Sequence, residues 1–156
     1  MIQKSKKFRK GIFCVVYSRE KEKDKEQIMY LLLRRKLHWK GWEFVKGKIE
    51  KSEKKSEAAR RETMEETGLK IKGKIKRFKI SGKYLYHKKL KDRPGVIGQT
   101  YTLFSAEVIK SNRIKLDKKE HSSWKWISYK EAVKTLKWPN QEKCLKIVDS
   151  WLNRNH

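Results

Sequence analysis

Three glutamates in the middle of the chain have the spacing of a shared metal site. Glu62, Glu65 and Glu66 stand at positions i, i+3 and i+4 of a segment with helical composition. At about 100° per residue, their carboxylates fall within an arc of roughly 100° and project from one helix face. A divalent cation relieves the repulsion between such close anions, and Mg²⁺ binds carboxylate oxygens together with water and substrate phosphates. The spacing is therefore compatible with a Mg²⁺ site, in which Mn²⁺ is a possible substitute.

An ordinary solvated helix is the alternative interpretation of the same three residues. The chain contains 43 Lys and Arg and 18 Asp and Glu residues, so clusters of acidic and basic side chains arise easily. Ion pairs at i and i+4 are common on exposed helix surfaces. The three glutamates alone leave both interpretations open.

The residues around these glutamates resemble the signature of the Nudix hydrolase family. That signature is Gly, five residues, Glu, seven residues, Arg-Glu, an aliphatic residue, any residue, Glu-Glu, any residue, and Gly with a following aliphatic residue. The matching positions are Gly47, Glu53, Arg61, Glu62, Glu65, Glu66, Gly68 and Leu69. Thr63 departs from the pattern because the family usually has an aliphatic residue there, but Thr and Val are similar in size.

The resemblance implies both a fold and an activity. Members of the family are αβα sandwiches, an α/β or α+β fold with a mixed β-sheet, in which the signature forms a loop, a helix and a second loop. With divalent cations they hydrolyse a phosphoanhydride bond in substrates that contain a linked nucleoside diphosphate. We therefore expect residues 1–156 to form one such domain, with Mg²⁺ or Mn²⁺ as the cofactor and a nucleotide as the substrate.

The resemblance also implies a role for each matching residue. The metal ligands correspond to Glu62, Glu65 and Glu66. Arg61 would hold these carboxylates in place, Gly47 and Gly68 would let the loops turn, and Glu53 would support the first loop. In such a site, the cations neutralise phosphate oxygens and lower the pKa of an attacking water, and a carboxylate accepts the proton of that water.

A further carboxylate is predicted outside the signature. Glu120 and His121 precede a segment that contains Trp124 and Trp126, and similar Glu-His pairs occur before a Trp-containing strand in dinucleoside tetraphosphate hydrolases. We predict that Glu120 is an additional metal ligand or a general base. The alternative is an ordinary loop carboxylate, and His121 in this polar loop is expected to be solvated.

The approach to the signature carries candidate phosphate contacts. Residues 42–47 resemble the Trp-x-Phe-Pro-Lys-Gly sequence of two Nudix groups, although Val45 replaces the Pro. One group cleaves diadenosine polyphosphates, and the other acts on RNA 5′ ends. The candidate phosphate contacts are Lys46, Lys48, Arg34, Arg35 and His38, because basic side chains donate charge-assisted hydrogen bonds to phosphate oxygens. An exposed surface cation is the alternative for each of them.

The pattern is closest to the bis(5′-nucleosyl)-tetraphosphatase group, so a dinucleoside polyphosphate such as diadenosine tetraphosphate is the first substrate hypothesis. The formal net charge of +25 makes RNA a second candidate partner. The alternatives are therefore an RNA 5′-end pyrophosphohydrolase and a non-catalytic RNA-binding module. A generally Lys-rich surface that serves no specific partner, as in heat-adapted proteins, would also produce this net charge.

Localisation and assembly are less constrained by the sequence. Two cysteines in apolar contexts, Cys14 and Cys144, indicate buried thiols in a reducing compartment. No stretch approaches the ~20 apolar residues of a membrane span. These features predict a cytoplasmic protein with no membrane partner, and they leave the oligomeric state open.

The elements that must position the site follow from the apolar pattern. Strands are predicted at residues 11–17, 28–34, 69–86 (with a break near residue 81), 99–109 and 124–127, and helices at residues 54–67, 129–136 and 139–152. Gly68 is the expected C-cap of the first helix, and Ser128 is the expected N-cap of the second. Residues 18–27 are expected to be an exposed loop or hairpin end, and residues 37–48 irregular. Residues 1–9 form a basic segment that is either a flexible tail or the start of the first strand.

Aromatic side chains near the expected cleft are candidates for stacking on a nucleobase. They are Trp39, Tyr84, Tyr86 and Tyr101. Ordinary packing is the alternative for each.

Overall fold

A computed structural model describes residues 7–154 of the chain. In this part, the strands are β1 (Lys7–Glu22), β2 (Lys25–Arg35), β3 (Gly41–Glu43), β4 (Val45–Lys48), β5 (Lys76–Leu85), β6 (Val96–Glu107) and β7 (His121–Ile127). The helices are α1 (Lys55–Thr67), α2 (Tyr129–Thr135) and α3 (Pro139–Arg154).

All seven strands join one mixed sheet. The main order is β3-β2-β1-β6-β5, while β4 pairs with β1 and β7 pairs with β2. β1 runs parallel to β6, and the other pairings are antiparallel. The long strand β1 therefore lies at the centre of the sheet, with β2 and β4 along one of its edges and β6 along the other.

Both faces of the sheet are covered by helices. Alternate residues of β1, such as Phe13 and Val15, pack in a core with α2 and α3. Their neighbours, such as Cys14 and Val16, pack in a second core with Ala58 of α1. A strand that is buried on both faces needs an uninterrupted apolar run, which explains residues 12–17. The expected αβα sandwich with a mixed sheet is confirmed.

Local signals for helix ends were reliable. Gly68 adopts a left-handed conformation with φ of 70°, and its N–H donates to the Met64 carbonyl, which ends α1. The Ser128 hydroxyl accepts a hydrogen bond from the Glu131 N–H at 3.3 Å and begins α2. Both predicted caps are confirmed because capping depends on contacts within one helical turn.

Residues 18–27 form a hairpin end, which was one of the two predicted alternatives, while several other boundaries differ from the prediction. β1 and β2 extend into the expected loop at residues 18–27 and meet at a turn of Lys23 and Asp24, whose positive φ angles suit a tight hairpin. Within the segment 37–48, residues 37–40 are irregular as predicted, but residues 41–43 and 45–48 form β3 and β4. β5 is continuous, although its pairing with β6 shifts register between Arg77 and Ser81.

The N-terminal segment was predicted with two alternatives. Residues 7–9 are the first residues of β1, so the alternative of a strand start is correct for them. Residues 1–6 lie outside the described residues.

None of the three helices in residues 7–154 combines the length and the apolar composition that crossing a membrane requires.

Candidate active site

Helix α1 is anchored to the sheet by small and polar residues. Ala58 and Ala59 are fully buried against the sheet, and they allow the helix to approach it closely. Thr63 is also fully buried, and its hydroxyl donates to the Ala59 carbonyl at 2.8 Å. The buried hydroxyl of Thr63 thus has a hydrogen-bond partner in the helix backbone, so Thr can occupy a position where an aliphatic residue was expected.

Arg61 ties the first loop to the carboxylates of α1. Its guanidinium donates to both carboxylate oxygens of Glu53 at 2.8 and 3.0 Å, to Glu62 at 2.8 Å and to Glu65 at 3.1 Å. It also donates to the Lys48 carbonyl at 2.8 Å. These hydrogen bonds lower the pKa of Glu53 and raise that of Arg61. The arrangement orients the loop and two glutamates through one planar group.

Acidic and basic side chains converge on a cleft beside α1. Its charged lining residues are Glu62, Glu66, Glu120, Arg9, Arg35, Lys46 and Arg93. The predicted carboxylate Glu120 therefore joins two glutamates of the signature, although it comes from a distant part of the chain. Glu65 does not line the cleft and has a 60% exposed side chain. It lies at the rim, where Arg61 holds it.

Nearby cations do not offset the burial and mutual repulsion of the carboxylates Glu62 and Glu66. Burial and the nearby charges of Glu65 and Glu120 raise the pKa of Glu62 to about 7, against the opposing effect of Arg61. Burial, Glu62, Glu43 and Glu120 raise the pKa of Glu66 well above its ordinary value. Such shifts arise when anions are desolvated close together.

The donor set of this cluster fits a divalent cation. The buried Glu66 Oε2 atom has no hydrogen-bond partner among residues 7–154. Glu66, Glu120 and His121 each offer a potential ligand atom, and these atoms lie within 4.8 Å of one another. A hard cation would satisfy the orphaned oxygen and neutralise the clustered carboxylates.

Glu43 is a buried centre of charge that the sequence analysis did not identify. Its carboxylate contacts His121 Nε2 at 2.9 Å, Lys46 Nζ at 3.1 Å, Arg35 Nη1 at 3.4 Å and Trp39 Nε1 at 3.2 Å. Burial alone would raise the pKa of Glu43, but the basic partners outweigh it and lower the pKa to about 2. The only sequence signal was an acidic residue between two large aromatic residues.

His121 was expected to be solvated, and this expectation was wrong. Its side chain is 0% exposed, and Nε2 contacts Glu43 while Nδ1 has no hydrogen-bond partner among the described residues. β7 begins at His121, and pairing with β2 carries the side chain into the interior.

The five predicted phosphate contacts separate into two groups. Arg35 and Lys46 line the cleft, and both are buried. Arg34 and Lys48 are exposed and do not line it, and His38 Nε2 instead contacts Asp92 at 2.9 Å. Alternation along β2 explains why Arg34 and Arg35 differ, since successive side chains point to opposite faces. The contribution of Lys48 to the site is its carbonyl, which accepts from Arg61.

A second, more apolar cavity adjoins the cleft and shares Trp39, Lys46 and Tyr84 with it. Its other lining residues are Phe13, Leu85, Tyr86, His87, Trp138, Asn140 and Gln141. Of the four aromatic candidates for stacking, Trp39, Tyr84 and Tyr86 line this cavity. Tyr101 does not, because its ring stacks on Phe13 in the core with centroids 4.1 Å apart.

Three further cleft residues were missed by sequence reasoning: Arg9, Arg93 and Gln99. Arg9 lay in a basic segment with two structural alternatives, and Arg93 lies in the loop between β5 and β6. Parallel pairing of β1 with β6 brings Arg9 beside Gln99. This long-range pairing has no local signal in the sequence.

The chain is similar to known proteins in its family profile and in its fold. The sequence profile of the NUDIX domain matches residues 7–146, which is most of the chain. None of the curated protein sequences compared with the chain matches it significantly.

Several solved structures share the fold at low sequence identity. A Listeria monocytogenes protein assigned to the NUDIX hydrolases has a TM-score of 0.72 and 22% identity, over 93% of this chain and 94% of that one. The C. elegans Ap4A hydrolase has a TM-score of 0.69 and 23% identity, over 93% and 98% of the two chains. The E. coli dihydroneopterin triphosphate pyrophosphohydrolase has a TM-score of 0.68 and 20% identity, over 89% and 94%. With the signature at the cleft and a family profile that spans residues 7–146, the chain belongs to the Nudix hydrolase family.

Proposed function

We propose that this protein hydrolyses a phosphoanhydride bond in a dinucleoside polyphosphate such as diadenosine tetraphosphate, with Mg²⁺ or Mn²⁺. One observation carries the proposal: clustered carboxylates and four cationic side chains line the same cleft. The carboxylates suit a cation, and the cations suit phosphate oxygens. A phosphate chain bridges both kinds of group.

The metal would be held by Glu62, Glu66 and Glu120, with Glu65 at the rim. When bound, divalent ions neutralise phosphate oxygens and lower the pKa of the attacking water. The water oxygen forms a bond to one phosphorus, and the bridging oxygen leaves with the other phosphoryl group. In the alternative in which Glu120 is the general base and not a metal ligand, its carboxylate, which is 31% exposed, accepts the water proton.

Arg35 and Lys46 are suited to bind and orient the phosphates. Both contact Glu43, whose low pKa keeps it ionised, and the guanidinium of Arg35 lies 5.1 Å from the Trp39 ring. These contacts limit the motion of two long side chains before substrate arrives. Such preorganisation reduces the entropy lost on binding.

The apolar cavity is suited to a nucleoside. Trp39, Tyr84, Tyr86 and Trp138 present ring surfaces on which a base can stack. Gln141 is 2% exposed, and its Oε1 atom has no hydrogen-bond partner among residues 7–154. An amino group on a base could donate to that oxygen.

The choice of a dinucleoside polyphosphate rests on resemblance. Residues 42–47 resemble the corresponding sequence of diadenosine polyphosphate hydrolases, and the C. elegans Ap4A hydrolase has a similar fold. Another structure with this fold, the NUDIX domain of Shewanella oneidensis NrtR, binds ADP-ribose, so the fold alone does not select the substrate.

A pyrophosphohydrolase acting on RNA 5′ ends is the second candidate, favoured by the net charge of +25. A non-catalytic RNA-binding module is a third candidate. It would have no need for the clustered, desolvated carboxylates of the cleft, which are costly to maintain.

Product analysis by chromatography separates these candidates. The purified protein is incubated with Mg²⁺ and, in separate reactions, with diadenosine tetraphosphate or 5′-triphosphorylated RNA. We expect asymmetric cleavage of the dinucleotide to ATP and AMP, and no cleavage in the presence of a chelator. Preferred release of pyrophosphate from RNA would favour the second candidate. RNA binding without any cleavage, unaffected by the chelator, would favour the third.

A further inference from the structure

We propose that Arg9 and Arg93 form a second phosphate-binding site in the cleft, which holds phosphates beyond the bond that is cleaved. This inference rests on the proposed function. It deepens that function because it selects substrates with three or more consecutive phosphates over simple diphosphates such as ADP-ribose.

Arg9 presents an unsatisfied, buried donor. Its position in β1 is opposite Gln99 of β6, and both residues line the cleft. The Arg9 Nε atom is buried and has no hydrogen-bond partner among residues 7–154. Burial and the charge of Arg93 lower the pKa of Arg9, which indicates that its charge is poorly compensated. A buried N–H without an acceptor is costly, and an anionic ligand would remove that cost.

Arg93 is held in position before any ligand binds. The Tyr86 hydroxyl accepts a hydrogen bond from its guanidinium at 2.8 Å, and the guanidinium lies 5.5 Å from the centre of the Tyr86 ring. Asp92 contacts His38 at 2.9 Å, so the loop that carries Arg93 is tied to the segment between β2 and β3. His38, predicted as a phosphate contact, therefore acts here as an anchor for the loop.

The two arginines differ from the other cations of the cleft in their lack of acidic partners. Arg35 and Lys46 both contact Glu43. Within residues 7–154, neither Arg9 nor Arg93 forms an ion pair with a carboxylate. Two neighbouring guanidiniums without an ion-paired carboxylate suit phosphate, which can accept two parallel hydrogen bonds from a planar guanidinium.

The position of this pair determines which phosphates it can bind. The two phosphoryl groups of the scissile bond must lie at the carboxylates of α1 and at Glu120, where the cation fits. Arg9 and Arg93 come from β1 and from the β5–β6 loop, which are different elements of the same cleft. The carboxylates come instead from α1 and from the segment before β7, and on this basis we place additional phosphates of the same chain at the two arginines.

The first test measures anion binding without catalysis. Isothermal titration calorimetry with inorganic tripolyphosphate, in the presence of a chelator and at constant ionic strength, is performed on the wild type, Arg9→Ala and Arg93→Ala. Each substitution should weaken binding by roughly ten- to a hundredfold, as for loss of charge-assisted hydrogen bonds. Arg77→Ala is the matched control, because it removes the same charge from an exposed position outside the cleft. It should change affinity less than about twofold.

The second test compares substrates. Arg93→Ala should lower kcat/KM for diadenosine tetraphosphate much more than for ADP-ribose, and Arg93→Lys should restore part of the loss. Unchanged tripolyphosphate affinity in both folded alanine variants, or equal losses for the two substrates, would overturn the inference. Calorimetry does not depend on turnover, so an inactive wild type whose anion binding still requires Arg9 and Arg93 would count against the proposed function alone.

Discussion

Gly47 lies directly against the carboxylate of Glu62: a Cβ atom at position 47 would be within 2.5 Å of both carboxylate oxygens. Gly47→Ala should therefore displace Glu62 from the cleft. A displacement of about 1 Å at a catalytic group can cost roughly 10²-fold in rate, so we expect a loss of that size in kcat with Mg²⁺.

Gly73→Ala is a matched control for this substitution. Gly73 has a φ of +66°, but a Cβ atom at this position would meet no atom within 4 Å beyond its chain neighbours. The variant should lose about 1 kcal/mol of stability through backbone strain and keep its kcat. A Gly47→Ala enzyme with normal kcat would show that turnover does not require the Glu62 carboxylate at its position in this structure.

Glu65→Gln should abolish turnover while the protein stays folded, although Glu65 lies at the rim. Its predicted role is metal binding, and loss of one carboxylate at such a site should lower kcat by roughly 10²-fold or more. Turnover is measured with Mg²⁺, and folding is measured by circular dichroism. Glu142→Gln, the same change at an exposed position of α3, is the control. An active, folded Glu65→Gln enzyme would remove Glu65 from the metal site.

Without metal, the protein should become less stable as pH rises through about 7. The pKa of Glu62 in the folded protein is about 7, above its ordinary value of 4.5, so the folded state binds more protons than the unfolded state between these values. The free energy of unfolding therefore falls with rising pH across this window. Glu66 acts in the same direction. Added Mg²⁺ should reverse the trend, since it binds the ionised carboxylates.

Thermal melts with a chelator or with Mg²⁺, at about pH 6 and about pH 8, test this expectation. His38 has the opposite effect on stability. Burial lowers its pKa in the folded protein, so its contribution to the free energy of unfolding increases as pH rises. The difference between wild type and Glu62→Gln isolates the carboxylate contribution. Identical pH profiles for these two proteins in the chelator would contradict a raised pKa at Glu62.

Glu43→Gln should be one of the most destabilising substitutions in the protein. It would leave Lys46, Arg35 and His121 without their common buried carboxylate. Removal of one partner from a buried ion pair costs about 3–5 kcal/mol, which urea unfolding can measure. Lys72→Gln breaks the exposed pair with Glu107 and should cost less than about 1 kcal/mol. Equal effects of the two substitutions would show that the Glu43 cluster does not stabilise the fold.

Gln141→Leu should raise KM for an adenine-containing dinucleotide more than it lowers kcat. The substitution keeps the volume and the apolar contacts of the cavity but removes the unpaired Oε1 acceptor. Loss of one hydrogen bond to a base predicts a change of roughly five- to tenfold in KM. Gln27→Leu, at an exposed position of β2, controls for the change in composition. An unchanged KM would indicate that the nucleoside does not reach Gln141.

The sequence by itself determined the features that depend on neighbouring residues. The helix with Glu62, Glu65 and Glu66, its end at Gly68 and the N-cap at Ser128 were all predicted, because periodicity and capping act within a few residues. The mixed sheet between two layers of helices was also predicted, through the resemblance of the signature to a family with that fold.

The composition of the cleft was decided only by the tertiary structure. β1 pairs with β6 and brings Arg9 beside Gln99, while the pairing of β2 with β7 brings Arg35 near Glu120. In the folded sheet, Arg34 and Lys48 are exposed and lie outside the site, whereas His121 is buried. Whether a polar side chain faces solvent or a shared cleft depends on strand pairing between distant segments. A single sequence carries no local signal for such pairing, because its stabilising contacts form only when the sheet is complete.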